Sequence, residues 1–379
     1  MGMHWSRREF VQWAGLSSLS SAALGSSLLP LNAKGSSSAR FAYIASSGGG
    51  EDGIHAYAVR GARWEKLQVV QSKRPVSLVA ASNRRFLYAV NEIDSYEGLP
   101  TGTVESFAIE ADGRLRFVNR SPLALSATMP SHAAVSPDGK SLVVAVRGGG
   151  AYNILPVADD GSVGRVSGIL KEVGVERGAS SRRAQPAMVT IDRQGRVISV
   201  DEGTSRLNVL SLQENTVIAH SRVELGEGCG ATYVAVHPNG NQLYVLQGDT
   251  IACHSYDAVA GRVGEPTWHL PVCGATEYGA IAVHPSGRFL YASQKGGGIA
   301  TWRLTAHGDV ATHKIENQAA LMDGLHGLEI DPDGRSLIGI SRSYGLIQGA
   351  EIDSDTGKLL SAQTLARLDS PSGLLMLYS

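Results

Sequence analysis

The segment Ala134–Ala145, AVSPDGKSLVVA, indicates the fold because near-copies of it recur along the chain. A short apolar strand leads into a Pro-Asp-Gly turn, and a second strand rich in Leu, Val and Tyr follows. Proline presets one backbone dihedral of such a turn and glycine permits a positive φ at another, so the phrase predicts a β-hairpin. Clear copies start at Ala235, Ala282 and Glu329, and weaker ones at Ala80 and Thr190.

The copies recur at a nearly regular interval. Counted two residues after the turn glycine, they fall at Phe86, Ser141, Val197, Gln242, Phe289 and Ser336, with spacings of 55, 56, 45, 47 and 47 residues. A seventh second-strand pattern begins 45 residues before Phe86, at Phe41. Periods of about 40 to 50 residues with several short strands are typical of a β-propeller blade. The sequence therefore predicts an all-β, seven-bladed propeller over residues 40–379.

The two ends of this region complement each other. The copy at Phe41 has no inner strand before it, whereas Pro371–Leu377 matches the inner-strand opening Pro130–Val135 and has no second strand after it. A C-terminal strand that completes the N-terminal blade closes the ring and removes exposed sheet edges. A solenoid, the alternative repeat architecture, predicts polar caps at both ends instead of complementary halves.

Composition supports a repetitive β-protein and excludes one class of function. The 379 residues include 45 glycines, as a turn-rich chain requires, and 34 Lys and Arg nearly balance 35 Asp and Glu. Without a basic surplus the chain lacks the charge that binds a phosphate backbone, so we expect no nucleic-acid partner.

Residues 1–39 are interpreted as an export signal and linker. Arg7-Arg8 is followed by Phe10, a weakly apolar stretch to about Leu31, and small residues around Ala33 and Ala39, either of which fits cleavage. These parts resemble a twin-arginine signal, which implies the twin-arginine translocase as a partner and a periplasmic or extracellular location. An amphipathic helix or a membrane anchor is the alternative. No later stretch reaches the length of an apolar membrane span, so we expect no membrane association after signal removal.

The three cysteines leave two readings open. Cys229 and Cys273 precede equivalent strands of adjacent repeats and fit a disulfide, whereas unpaired buried thiols are the simpler interpretation for them and for Cys253. Their spacing matches no zinc motif. We expect no metal and no organic cofactor.

Several phrases in fixed order resemble the seven-bladed lactonase propeller family, which includes bacterial 6-phosphogluconolactonases and fungal muconate-lactonising enzymes. They include Pro130-Ser-His132, Ala145-Val-Arg-Gly-Gly-Gly150, Leu87-Tyr-Ala-Val-Asn-Glu92 and Val200-Asp-Glu-Gly-Thr-Ser-Arg-Leu-Asn-Val209. The resemblance spans residues 40–378 and implies the same fold and lactone hydrolysis. Asn91, Glu92, His132 and Asp201 match family positions.

Other family positions carry different residues here. Gln185-Pro-Ala187 stands where the family tends to have His-x-His, and Ala231-Thr-Tyr233 where it tends to have Pro-Arg-His. Ala280, His326 and Val146 replace an expected Glu, Arg and Asn. These differences remove cationic and imidazole groups that would bind a phosphate or carboxylate.

The propeller fold groups the remaining polar residues on one face. Residues that start inner strands or end second strands converge at one mouth of the central channel, where propellers bind ligands. The predicted catalytic set is His132 or Glu92 as the base that activates water, Arg147 as the oxyanion partner, and Asp201. The predicted substrate-binding set is Asn91, Tyr233, Glu277, Lys295, His326 and Arg342, and Lys295 is a second candidate for the oxyanion.

Each candidate also has a structural interpretation. His132 can be held by a neighbouring loop, and Glu92 and Asp201 can accept hydrogen bonds from loop amides or pair with Arg147 and Arg206. For His237 and His284, in His-Pro turns, the structural role is the favoured one. The sequence therefore predicts an exported lactonase acting on a sugar lactone, preferably an unphosphorylated aldonolactone. A non-catalytic propeller that binds a carbohydrate or a protein through the same face is the alternative.

Overall fold

The chain forms 29 β-strands in the part that the computed structural model describes, which is residues 41–378 without 49, 51, 178–179, 214–215, 227, 272–278, 295–297, 312–314 and 316–323. The predicted export signal lies outside the described residues, as do Cys273, Glu277 and Lys295. The described part of the chain contains no helix that is long and apolar enough to span a membrane.

In chain order the strands are β1 (Phe41–Ser46), β2 (Gly53–Arg60), β3 (Arg63–Gln71), β4 (Pro75–Ala80), β5 (Phe86–Asn91), β6 (Thr103–Ile109), β7 (Leu115–Pro122), β8 (Pro130–Val135), β9 (Ser141–Val146), β10 (Ala151–Pro156), β11 (Gly168–Lys171), β12 (Val175–Arg177), β13 (Ser180–Arg182), β14 (Pro186–Ile191), β15 (Arg196–Asp201), β16 (Arg206–Gln213), β17 (Thr216–Glu224), β18 (Ala231–Val236), β19 (Gln242–Gln247), β20 (Thr250–Asp257), β21 (Arg262–Pro271), β22 (Ile281–Val283), β23 (Phe289–Ser293), β24 (Ile299–Arg303), β25 (Leu325–Ile330), β26 (Ser336–Ser341), β27 (Leu346–Ile352), β28 (Leu359–Arg367) and β29 (Pro371–Leu377).

Seven antiparallel sheets form the blades of a propeller, as the repeats predict. Blade 1 is β29-β1-β2-β3, and blades 2, 3, 4, 5 and 7 are β4–β7, β8–β11, β14–β17, β18–β21 and β25–β28. Blade 6 has β22–β24, and an isolated bridge between Thr301 and Ile315 marks the position of a further edge. The hairpin β12-β13 is an insertion between blades 3 and 4.

The C-terminal strand closes the ring as predicted. β29 pairs antiparallel with β1, with Phe41 opposite Leu377 and Ile44 opposite Leu374. Because the first and last segments of the propeller share one sheet, the N-terminal blade is complete only when the C-terminal strand is in place. The inner strands then contact one another in the cyclic order β29, β4, β8, β14, β18, β22, β25.

Apolar side chains hold adjacent blades together. One hydrophobic cluster lies at each of the seven blade interfaces. Between blades 1 and 2, for example, Tyr43 and Ile54 pack with Leu87 and Phe107, all fully buried. The alternation of inward and outward residues in each strand therefore supplies two apolar faces per blade, one for each neighbour.

A tyrosine in the second strand links several blades to the next one. The hydroxyl of Tyr43 donates to the carbonyl oxygen of Gly113 at 3.0 Å, and Tyr291 donates to Gly357 at 2.9 Å. Each of these glycines lies in an outer hairpin turn at positive φ. They also lie against Phe41 and Phe289, the residues whose regular spacing revealed the blades.

We expect Gly357→Ala to destabilise the propeller far more than Gly240→Ala. Both glycines have φ near +75° (+75° and +78°), but a Cβ at Gly357 would lie 2.3 Å from the Phe289 ring, whereas one at Gly240 meets nothing within 4 Å. Backbone strain alone costs about 1 kcal/mol, and the displacement of a buried ring adds about 2 kcal/mol. Urea unfolding measures both free energies, and equal losses would show that Phe289 moves aside without cost.

Candidate functional site at the channel mouth

His132 lies near the start of inner strand β8. A bulge between Pro130 and His132 shifts the register with β9, so that His132 lies opposite Ala145. The backbone of Val189 in the next inner strand, β14, approaches the ring. Its Nδ1 atom is buried and has no partner in the described part of the chain. Burial lowers the pKa of His132 to about 4 against the effect of the Val189 backbone, so the imidazole is neutral at neutral pH.

Arg147 follows the second strand of the same blade. One terminal nitrogen of its guanidinium forms an ion pair with Glu202 of blade 4 at 3.2 Å. Its Nε atom is buried and lacks a partner among the described residues. Because His132 is paired with Ala145, two residues before Arg147, the two residues stand at the same end of blade 3. Blade 3 thus carries an unused acceptor and an unused donor at this end.

Glu92 is ion-paired at this mouth, but not with Arg147. Its carboxylate is 3.1 Å from the guanidinium of Arg74, and its amide N–H donates to the Arg74 carbonyl oxygen. The pair is partly exposed, with the Glu92 side chain 20% accessible. Water or substrate would have to displace Arg74 to reach this carboxylate, so the pair reduces the case for Glu92 as the catalytic base.

Asp201 accepts hydrogen bonds from loop amides, which was one of the two interpretations of its sequence position. Its Oδ1 atom accepts from the N–H groups of Gln185 at 3.0 Å and Thr204 at 2.8 Å. The side chain is fully buried, and Oδ2 has no partner within the described residues. Asp201 therefore fixes the chain that enters β14, close to the polar interface between blades 3 and 4.

Asn91 belongs to a buried polar network at the edge of blades 1 and 2. Its amide nitrogen donates to the Ser72 hydroxyl, the Lys73 carbonyl and the Glu105 carboxylate. The hydroxyl of Thr103 donates to its amide oxygen at 3.0 Å. These bonds use both amide hydrogens, so a substrate would have to compete with them.

His326 and Arg342 lie together at the mouth of blade 7. The backbone N–H of Arg342 donates to Nδ1 of His326 at 3.2 Å, which leaves the ring proton on Nε2. Burial, and then the positive charge of Arg342, lowers the pKa of His326 to about 4. The backbones of Gly324 and Pro371 approach the ring and act in the opposite direction. The ring lies beside Pro371, where β29 begins, and its Nε2 atom is buried with no partner among the described residues.

Tyr233 is partly buried and packs against three hydrophobic clusters, at the interfaces on both sides of blade 5 and between blades 6 and 7. It therefore reaches across the channel wall from β18. The structural interpretation of the two turn histidines is confirmed: Nε2 of His237 and of His284 bond the carbonyl oxygens of Gly287 and Gly334, each in the next blade. Cys229 and Cys253 are free thiols.

Sequence reasoning missed the ion-pair partners Arg74 and Glu202. Glu202 directly follows Asp201 at the end of a second strand, and Arg74 directly precedes Pro75 at the start of an inner strand. Both therefore stand next to positions that the sequence had placed at the channel mouth, and this was the signal that could have identified them. Sequence analysis also missed Ser131 and Ser372. Their hydroxyls donate to the carbonyl oxygens of the prolines that begin the next inner strands, Pro186 and Pro75, and so join adjacent blades at the mouth.

Comparison with family models assigns this architecture. A model described as lactonase, 7-bladed β-propeller, matches residues 41–376. The chain belongs to this lactonase propeller family. The match covers every strand of the ring, from β1 to the closing strand.

Sequence relatives in this family have low identity to the chain. A protein described as 6-phosphogluconolactonase from Serratia proteamaculans is 29% identical over 279 residues, which cover 71% of this chain and 79% of that protein. An uncharacterized protein of Staphylococcus saprophyticus is 26% identical over 247 residues, or 63% of this chain. The aligned part is 66% of that relative, just under two thirds of its length.

Solved structures share the fold. A Bacteroides fragilis protein, provisionally assigned as a 6-phosphogluconolactonase, superposes with a TM-score of 0.78 at 19% identity, over 92% of this chain and 100% of that one. The periplasmic gluconolactonase of Pseudomonas aeruginosa gives a TM-score of 0.76 at 20% identity, over 90% and 99% of the two chains. At these identities the likeness establishes the fold alone.

Proposed function

We propose that this lactonase propeller hydrolyses the ring ester of a sugar lactone at the channel mouth of blade 3. The observation that carries the proposal is a pair of buried polar atoms at the same end of blade 3 that lack partners among the described residues, Nδ1 of His132 and Nε of Arg147. A neutral imidazole nitrogen accepts a proton from water, and a buried guanidinium N–H stabilises a developing oxyanion.

The reaction needs no group beyond these two and water. His132 removes a proton from the water as its oxygen bonds to the lactone carbonyl carbon, and the N–H of Arg147 donates to the oxyanion. When the carbonyl re-forms, the bond between that carbon and the ring oxygen breaks. The imidazolium then returns its proton to the departing alkoxide. An imidazolium with a pKa of about 4 is a strong enough acid for that last step.

We further propose an unphosphorylated aldonolactone as substrate and a location outside the cytoplasm. The Pseudomonas neighbour is described as a periplasmic gluconolactonase, and Arg7-Arg8 begins a stretch with the features of an export signal. Two of the described cations at the mouth support a neutral substrate, since Arg74 and Arg147 are both paired with carboxylates. Replacement of Arg7 and Arg8 by lysines should retain the protein in the cytoplasm, and unchanged export would contradict the location.

The substrate proposal predicts a rate difference. Acid release from δ-gluconolactone should exceed the rate in buffer, and the phosphorylated lactone should react more slowly because Arg147, the cation of the proposed site, is already paired with Glu202 and would bind the dianion weakly. A pH-stat measures both, with spontaneous hydrolysis subtracted. Faster hydrolysis of the phosphorylated lactone would reverse the preference. Rates equal to buffer with all lactones would favour the non-catalytic binding propeller, which the internal bonding of Asn91, Glu92 and Asp201 would also suit.

A further inference from the structure

A pocket of about 630 Å³ lies beside the channel mouth, over the interface of blades 3 and 4. Its lining comes from the glycine turn 148–150, from residues 171–174 at the end of β11 and just after it, and from residues 182–184 at the end of β13 and just after it. The pocket is therefore built by the turn that follows Arg147 and by the two ends of the β12-β13 insertion. Its volume is in the range of small-molecule sites.

The charged groups of this pocket are mostly cationic. Lys171, Arg182 and Arg183 line it, with Glu172 as the one carboxylate. Glu172 is already compensated, because its buried carboxylate accepts a hydrogen bond from Arg222 at 2.7 Å. Lys171 gives one of its three ammonium protons to the carbonyl oxygen of Gly149, and no residue in the described part of the chain pairs with the guanidinium of Arg183. The pocket thus has a positive surplus that an anion would neutralise.

Backbone packing fixes the pocket walls before any ligand binds. A Cβ at Gly150 would lie 2.8 Å from the Ala184 carbonyl oxygen, and one at Gly203 only 2.0 Å from that of Arg183. On the other side, a Cβ at Gly174 would lie 2.5 Å from the Arg182 carbonyl oxygen. Because the neighbours are main-chain atoms that cannot swing away, these glycines hold the insertion against the blades. A preformed site loses little entropy when it binds.

We propose that this pocket binds a sugar acid, with its carboxylate between Lys171 and Arg183. Val173, which is 73% exposed, supplies an apolar contact for the C–H face of the sugar. Anion binding follows from the pocket itself, whereas the choice of a sugar acid rests on the proposed lactone hydrolysis, whose product carries a carboxylate. The site is separate from His132 and would hold the product, or a related aldonate, next to the channel.

Calorimetric titration of the full protein with gluconate tests the proposal, with sorbitol as the neutral analogue and sulfate as the simple anion. Gluconate should bind, sorbitol should not, and sulfate should bind more weakly because it lacks the sugar. The double variant Lys171→Met/Arg183→Gln should weaken gluconate binding by at least about tenfold, and added salt should weaken it further. Arg63→Gln, an exposed arginine of blade 1, should leave it unchanged.

The outcomes separate this site from the catalytic one. Gluconate binding that survives His132→Ala and fails in the double variant supports the pocket, even if no lactone is hydrolysed. Binding that fails in His132→Ala and survives in the double variant would put the anion in the channel and overturn the proposal. Sulfate binding as tight as gluconate would overturn the sugar part. Absence of binding by either anion would overturn the whole.

Discussion

His132→Ala is expected to lower the kcat for lactone hydrolysis at least about 100-fold, because a general base contributes about 10² to 10⁴ to the rate. The variant removes a buried ring nitrogen at the mouth of blade 3 that lacks a partner among the described residues, and it leaves the Arg147–Glu202 pair in place. The KM should change less than kcat, since the base acts on water and not on the bound sugar. Initial rates over a range of δ-gluconolactone concentrations separate the two constants.

Two further measurements distinguish a catalytic His132 from a structural one. Free imidazole added to His132→Ala should restore part of the rate, which a purely structural histidine would not permit. His307→Ala, at an exposed outer turn of blade 6, should retain the full rate with the same change of residue type. An unaltered kcat in His132→Ala, with the fold intact by circular dichroism, would remove His132 from the mechanism.

The pH profile provides an independent test of the same residue. Because burial lowers the pKa of His132 to about 4, the base is already neutral throughout the neutral range. The kcat/KM should therefore be flat there and should fall only as the pH approaches about 4, when the imidazole becomes protonated and loses its acceptor. A fall centred near the ordinary histidine pKa of about 6.5 would show a solvated ring and contradict the buried site.

The repeats predicted the fold because every blade needs the same hairpin turn and the same packing at the start of its second strand. The positions of Phe41, Phe86, Gln242 and Phe289 begin second strands and pack on turn glycines or the next blade, so their spacing reports the blade period directly. In blade 4 the repeat position and the strand start differ by one residue: β15 begins at Arg196, one residue before Val197. The complementary ends were equally informative, because the C-terminal strand β29 pairs with β1 and completes the N-terminal blade.

The site was less predictable because hydrogen-bond partners are not repeated. The positions of Glu92 and Arg147 at the ends of second strands correctly predicted that both lie at the channel mouth. The sequence next to them does not indicate that Glu92 pairs with Arg74 or that Arg147 pairs with Glu202. The spacing of 56 residues from Ser141 to Val197 did indicate an insertion, because it is about ten residues longer than the spacings of the later blades. Those residues form the β12-β13 insertion, and its ends build the cationic pocket.

Acidification is expected to destabilise the propeller between about pH 6.5 and about pH 4. The pKa values of His132 and His326 are both about 4 in the folded state, against about 6.5 in an unfolded chain. The unfolded state therefore takes up protons first as the pH falls. Each histidine contributes its full stability above about pH 6.5 and loses it progressively to about pH 4, a change on the order of 3 kcal/mol per residue.

Two carboxyl groups of the described residues, Asp331 and Glu172, act in the opposite direction, because burial raises the pKa of each. Burial raises the pKa of Asp331 to about 6, against hydrogen bonds that include one from the Arg335 amide. Its folded state takes up a proton before the unfolded state does, so this residue regains stability as the pH falls from about 6 to its ordinary value near 4. The net acid loss should therefore be smaller than the sum for the two histidines. The lowered pKa values of His254 and His284, both caused chiefly by burial, add to the loss.

Variants resolve these contributions. The free energy of unfolding in urea, measured at about pH 7 and about pH 5, should fall less on acidification in His326→Gln than in the parent, because one proton acceptor of the unfolded state is gone. The free energy of unfolding of Asp331→Asn should fall more than that of the parent on acidification, because a carboxyl group that opposes the loss is removed. His307→Gln, exposed at an outer turn, should follow the parent. An acid loss of the same size in all four proteins would mean that His326 and Asp331 titrate alike in the folded and unfolded states, so that the blade 7 contacts do not govern acid stability.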